Sequence, residues 1–137
     1  MFKKLITILK QLNDNRKFMK MFDNTPMEWR NIPFYDGFYR VNNRGDIESL
    51  ERVISHPHSK TYTLKDRVLK PSFDNGFGRV YLYYPGWDRE RVFVHKVVAE
   101  AFIPNPHNYK YVNHKNGNRL DNNVRNLEWK EKRNSPR

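Results

Sequence analysis

The sequence predicts an α+β fold: a small antiparallel β region at about 28–93, then helix, strand, loop, strand and a terminal turn of helix. Two observations carry that prediction. From Glu28 onward, short β-type runs alternate with turn signals at Gly37, Asn42-Asn43-Arg44-Gly45, Asp74-Asn75-Gly76 and Pro85-Gly86. The period then switches, so that Val94, Val97, Val98, Ala101 and Phe102 fall on one helical face before Pro104 and Pro106 stop the helix. At 137 residues the chain is long enough to bury a core, and with 15% aromatic residues it is not disordered by composition.

Taken in order, residues 1–26 form an N-terminal extension. Phe2, Leu5, Ile6, Ile8, Leu9 and Leu12 stand among lysines at a spacing that suits an amphipathic helix, with a break at Asn13-Asp14-Asn15. A secretory leader is the rival reading, but Lys10 interrupts the apolar run and no small-residue cleavage site follows. No stretch is long enough to span a membrane as a helix. Asp23-Asn24-Thr25-Pro26 reads as a linker into a β-rich unit over 27–92. There, Phe38–Val41 and Asp46–Leu50 flank one turn as a hairpin, and Gly78–Tyr84 with Arg89–Val94 form a second. Between them, the stretch from His56 to Lys60 reads as a mobile loop whose two histidines lack a third metal ligand. A third unit covers 93–137. Its helix braces the segment that follows, and His95 at the helix start is expected to be satisfied locally.

Composition narrows the function. There are no cysteines, which excludes a disulfide framework and a thiolate metal site. The net charge is +11, with the excess at the two ends. Residues 93–137 hold 9 basic and 4 acidic groups, contributing +5 of the total. Such a surface favours a polyanion through counterion release.

The chemistry concentrates in Tyr111-Val112-Asn113-His114-Lys115-Asn116-Gly117-Asn118 and its continuation through Asn122-Asn123 and Asn126-Leu127-Glu128-Trp129 to Asn134. Asparagine is poor inside helices and strands because its side chain competes for backbone hydrogen bonds. So many amides in one loop must pin it, bind a ligand, or both. Hydrolysis of a phosphodiester needs a base for water, a cation for the developing charge and a scaffold that fixes both. His114, at a strand end and facing outward, is a candidate base with an ordinary pKa suited to neutral pH. Asn113 and Asn134 offer amide oxygens to a hard cation. Asn126 is placed to pin the intervening loop through its backbone. Lys115, Arg119, Arg125, Lys132 and Arg133 bracket the site to meet phosphates, while Arg40, Arg44 and Arg79 would position the β region along a duplex.

These blocks resemble a known family. Val94–Pro104, followed by Val112–Asn118, Asn122-Asn123 and Asn126–Trp129, is similar to the HNH endonucleases of phage and homing type. Glu28–Pro33 and Tyr35–Ser49 resemble the nuclease-associated modular motif that precedes such domains. The resemblance implies a ββα-metal (His-Me finger) nuclease motif with His114 as general base and Asn126 as the loop-pinning residue. It implies one divalent cation, Mg²⁺ or Mn²⁺, held by Asn113 and Asn134, and products with 5′-phosphate and 3′-hydroxyl ends. The implied partner is double-stranded DNA, nicked or cut through, with no small-molecule cofactor and no stable membrane association. The expected state is a monomer or weak dimer in the cytoplasm. Asn113 is neutral where members carry Asp or Asn, so its hold on the cation should be weaker than that of an Asp-bearing relative. A DNA-binding module of the same fold with weak or lost catalysis is the alternative, and a basic RNA-binding or structural protein is a third reading.

Overall fold

The computed structural model describes residues 24–55, 57–86 and 88–132. The helix expected within 1–26, the terminal helix, His56, Arg133 and Asn134 lie outside these residues.

Strands β1 (Trp29–Asn31), β2 (Tyr39–Asn42), β3 (Ile47–Ser49) and β6 (Arg67–Val68) form an antiparallel sheet in that order. The β2–β3 turn is locked by Asn42, whose Oδ1 accepts from the backbone N–H of Arg44 at 3.0 Å and of Asp46 at 2.9 Å. That is the local side-chain competition that makes Asn a turn residue. Gly45 completes the turn at φ +92°. Strands β4 (Arg52–Ile54) and β5 (Tyr62–Leu64) pair separately, so the segment read as a mobile loop connects a hairpin.

Strands β7 (Ser72–Asp74), β8 (Phe77–Tyr83) and β9 (Arg89–Phe93) form a third sheet. Asn75 and Gly76 join β7 to β8 with positive φ at both positions, the pattern a two-residue hairpin turn favours. Along β8 the strand period of two turns Gly78, Val80 and Leu82 inward. Both hairpins expected from the sequence are present, with additional pairings at β1, at β4–β5 and at β7.

Helix α1 (Val94–Phe102) follows β9 without a loop and buries Val94, Val97, Val98 and Ala99. It ends where Ile103, just before Pro104, gives its N–H to the Ala99 carbonyl at 2.9 Å. One apolar cluster joins Ile32 just after β1, Tyr39, Val41 and Ile47 of the first sheet, Val80 and Leu82 of β8, Val94, Val97 and Val98 of α1, and Leu127. The core therefore spans the division at 92/93 rather than stopping at it.

Strands β10 (Tyr111–His114) and β11 (Leu127–Lys130) close the described chain as an antiparallel hairpin, with His114 opposite Leu127 and Asn113 opposite Glu128. The indole N–H of Trp129 donates to the Ile103 carbonyl at 3.0 Å and ties this hairpin to the end of α1.

Candidate functional site

Strand alternation decides how β10 presents its residues. Val112 and His114 share the face of Trp129 and Leu127, whereas Asn113 shares the other face with Glu128. His114 is therefore not the outward-facing residue expected from the sequence. It is 6% exposed, because its face is the one that carries Leu127 into the core. Its ring lies 5.0 Å from that of His95 and 6.1 Å from that of Phe77.

The imidazole is held from one side. Nε2 of His114 lies 2.8 Å from the Oδ1 of Asn122. An amide oxygen only accepts, so this contact suits the tautomer with the proton on Nε2 and the lone pair on Nδ1. No side-chain hydrogen bond joins Nδ1 to another described residue. Burial lowers the His114 pKa from its ordinary value; Arg119 adds to that, while the Asn122 bond and Asp121 oppose it. The net direction keeps the ring neutral at pH 7.

Asn126 is 8% exposed and ties the loop at two points. Its Oδ1 accepts from the Asn116 N–H at 3.0 Å, and its Nδ2 donates to the Asp121 carbonyl at 2.9 Å. The Lys115 N–H to Asn126 carbonyl bond, 2.7 Å, extends the hairpin by one step. Within the loop, Asn116 and Asn118 accept from the N–H groups of Asn118 and Leu120 at 2.8 and 3.0 Å. The amides thus serve the loop backbone, one of the two uses their density suggested.

Asn113 donates through Nδ2 to the Oε1 of Glu128 at 2.9 Å. This sets one carboxylate beside the neutral amide. Among the described residues there is no cluster of three or more His, Cys, Asp or Glu able to hold a metal. The donors at hand, amide and carboxylate oxygens, are of the hard type that suits Mg²⁺ or Mn²⁺.

Several of the cations are engaged with neighbouring groups. Arg40 is paired with Glu48 at 2.9 Å and lies over the Trp29 ring. Arg44 donates to the Thr25 carbonyl at 3.1 Å, and Arg79 is paired with Asp74 at 3.0 Å over Phe93. Arg119 donates to the Asn75 carbonyl at 2.7 Å and stacks on Phe77 at 4.4 Å. Lys115, Arg125 and Lys132 are exposed along the loop and beyond β11.

Three residues of this site were not among the candidate site residues read from the sequence. Asn122 is one of two adjacent asparagines, and only the fold distinguishes it from Asn123, which instead caps the short 3₁₀ turn Val124–Asn126. Glu128 reaches Asn113 through strand pairing. His95 is the third, and the local satisfaction expected for it is absent: it is 9% exposed with a buried, partnerless Nδ1. Its neighbours are the rings of Phe77, Phe93 and His114. Desolvation, then His114 and Lys96, lower its pKa to about 4.

Residues 27–83 match the NUMOD4 motif, and residues 92–135 match the HNH endonuclease family. The chain is 35% identical over 105 residues to an uncharacterized HNH endonuclease of Acanthamoeba polyphaga mimivirus, covering 74% of this chain and 23% of that protein. It is 33% identical over 104 residues to the DNA endonuclease I-HmuI of Bacillus phage SP01, covering 75% of this chain and 52% of that protein. A solved structure on DNA binding and cleavage by the HNH homing endonuclease I-HmuI superposes with a TM-score of 0.58 at 30% identity, over 75% of this chain and 52% of that one. The chain spans about half or less of the length of these relatives.

Proposed function

The chain carries an HNH endonuclease domain behind a NUMOD4 motif, and from that premise we propose that it hydrolyses DNA phosphodiesters with His114 as general base and one divalent cation. The observation that carries this reading is the hold on His114: a neutral imidazole at a strand end, in contact with Asn122 through Nε2 and followed by a loop that Asn126 pins.

In this reading Nδ1 takes a proton from water as the oxygen forms its bond to phosphorus. The bond from phosphorus to the 3′ oxygen breaks, leaving a 5′-phosphate and, once the leaving oxygen is protonated, a 3′-hydroxyl. Asn126 keeps the loop after His114 in one shape, so the base meets the phosphate without reorganising. HNH nucleases are divalent-metal enzymes as a class, and Asn113 with Asn134 would hold the cation here. When bound, it would supply charge neutralisation at the phosphate and the leaving oxygen. Lys115, Arg125 and Lys132, with Arg133 and Arg119, would bring phosphates to the site, and residues 27–92 would set the position along the duplex.

A second reading, a DNA-binding module that cuts weakly or not at all, is favoured by one observation. Asn113 is neutral, and its amide nitrogen is committed to Glu128. Supercoiled plasmid with Mg²⁺ or Mn²⁺ separates the two. The wild type is expected to produce nicked or linear DNA, EDTA to abolish it, and His114→Ala to lower the rate by about 100-fold or more while DNA affinity stays within a few-fold. Undiminished cleavage by His114→Ala would reject the base. DNA binding with no cleavage in either metal would establish the second reading.

A further inference from the structure

We propose that Asn122 is a positioning residue that selects which nitrogen of His114 is basic, and that the β2–β3 turn of the preceding motif holds Asn122 in place. The proposal rests on the reading of His114 as the base and asks what sets its tautomer. A neutral imidazole has one N–H and one lone pair, and in water the two nitrogens exchange those roles readily. A base that must act through Nδ1 therefore needs a fixed acceptor at Nε2. The 2.8 Å contact to Asn122 Oδ1 provides it, between residues that are 6% and 9% exposed.

Asn122 is itself held from outside the HNH domain. A Cβ built on Gly45 would lie 2.8 Å from the Asn122 Cβ and 2.8 Å from its carbonyl oxygen, so only glycine lets the two backbones approach this closely. The neighbouring contact repeats the docking, because the Val124 N–H donates to the Asn43 carbonyl at 3.0 Å. On the other side, Asn126 grips the Asp121 carbonyl. Asn122 thus sits between fixed points, and the turn Asn42–Gly45 acts on the imidazole through it.

The test uses ¹⁵N-labelled full-length chain and long-range proton–nitrogen correlation, which reads the His114 tautomer at pH 7.5 without DNA or cation. The wild type should show the Nε2–H form. Asn122→Ala should give a mixture of tautomers and lower kcat for plasmid cleavage about 10- to 100-fold at unchanged DNA affinity. Asn122→Asp, which retains an acceptor, should restore the Nε2–H form and much of the rate. Gly45→Ala should disturb the tautomer from outside the site, with circular dichroism reporting whether the fold is kept. A wild-type Nδ1–H form, or Asn122→Ala with tautomer and kcat unchanged, overturns the proposal. A chain that cuts no DNA yet loses the Nε2–H form in Asn122→Ala supports the Asn122 hydrogen bond and removes only the nuclease reading.

Discussion

Two imidazoles packed 5.0 Å apart, among the rings of Phe77 and Phe93, set an acid limit on this molecule. His95 has its pKa lowered to about 4 from 6.5, chiefly by desolvation. A group whose folded pKa is depressed contributes fully above its unfolded value, and that contribution is lost as pH falls through the window between the two. Stability should therefore hold above pH 6.5 and decline between about 6.5 and 4, by on the order of 3 kcal/mol from His95. His114 acts in the same direction. Urea titrations at several pH values measure the slope, and His95→Phe should flatten it; an unchanged slope would place the acid-sensitive group elsewhere. The same residue shows where local reading stopped. His95 occupies a helix-start position that the pattern cannot tell from a solvated one, because its burial comes from Phe77 and His114, far away along the chain. The loop contacts of Asn126 were legible because its spacing from His114 placed it to bond the intervening backbone.

At the level of elements, the docking of one turn onto another gives Arg119 a structural use. It donates to the Asn75 carbonyl and covers the Phe77 ring, and Gly76 leaves room for it, since a Cβ there would come within 3.3 Å of its side chain. One hydrogen bond and one cation–π contact at an exposed position amount to about 1–2 kcal/mol. Arg119→Ala should lower stability by that amount and speed hydrogen exchange in 75–77 and 115–121. If the arginine serves only as this clamp, the salt dependence of DNA binding will not change; a slope reduced by about one would assign it to a phosphate instead. The β2–β3 and β8–β9 hairpins and α1 were readable because turn residues and the switch in period announce them. Strands β4, β5 and β7 were not, since each is only three residues long, too short for an alternation to stand out, and β5 and β7 are mostly exposed.

For the molecule as a whole, the net charge of +11 is less available than it looks. Arg40, Arg79 and Arg119 are engaged with neighbouring groups, and Lys115, Arg125 and Lys132 are exposed near the loop. Substituting each of these three with Ala should weaken DNA binding similarly for any sequence and reduce the slope of log affinity against log salt by about one apiece. Fluorescence anisotropy across a salt series measures it; a variant that alters sequence preference without altering the slope would not be contacting phosphate. Composition suggested a polyanion but not the different surroundings of the arginines, because ion pairing depends on which strands become neighbours.

The glycine at position 45 has a consequence for how such chains can be assembled. It belongs to the front half of the molecule, yet its missing side chain makes room for an asparagine of the rear half. The boundary between the halves is therefore a fitted seam and not a flexible tether. Shuffling the rear half onto a foreign front would preserve every residue of the HNH signature and still leave the imidazole ungoverned, unless the newcomer brought an equally bare turn to the same spot.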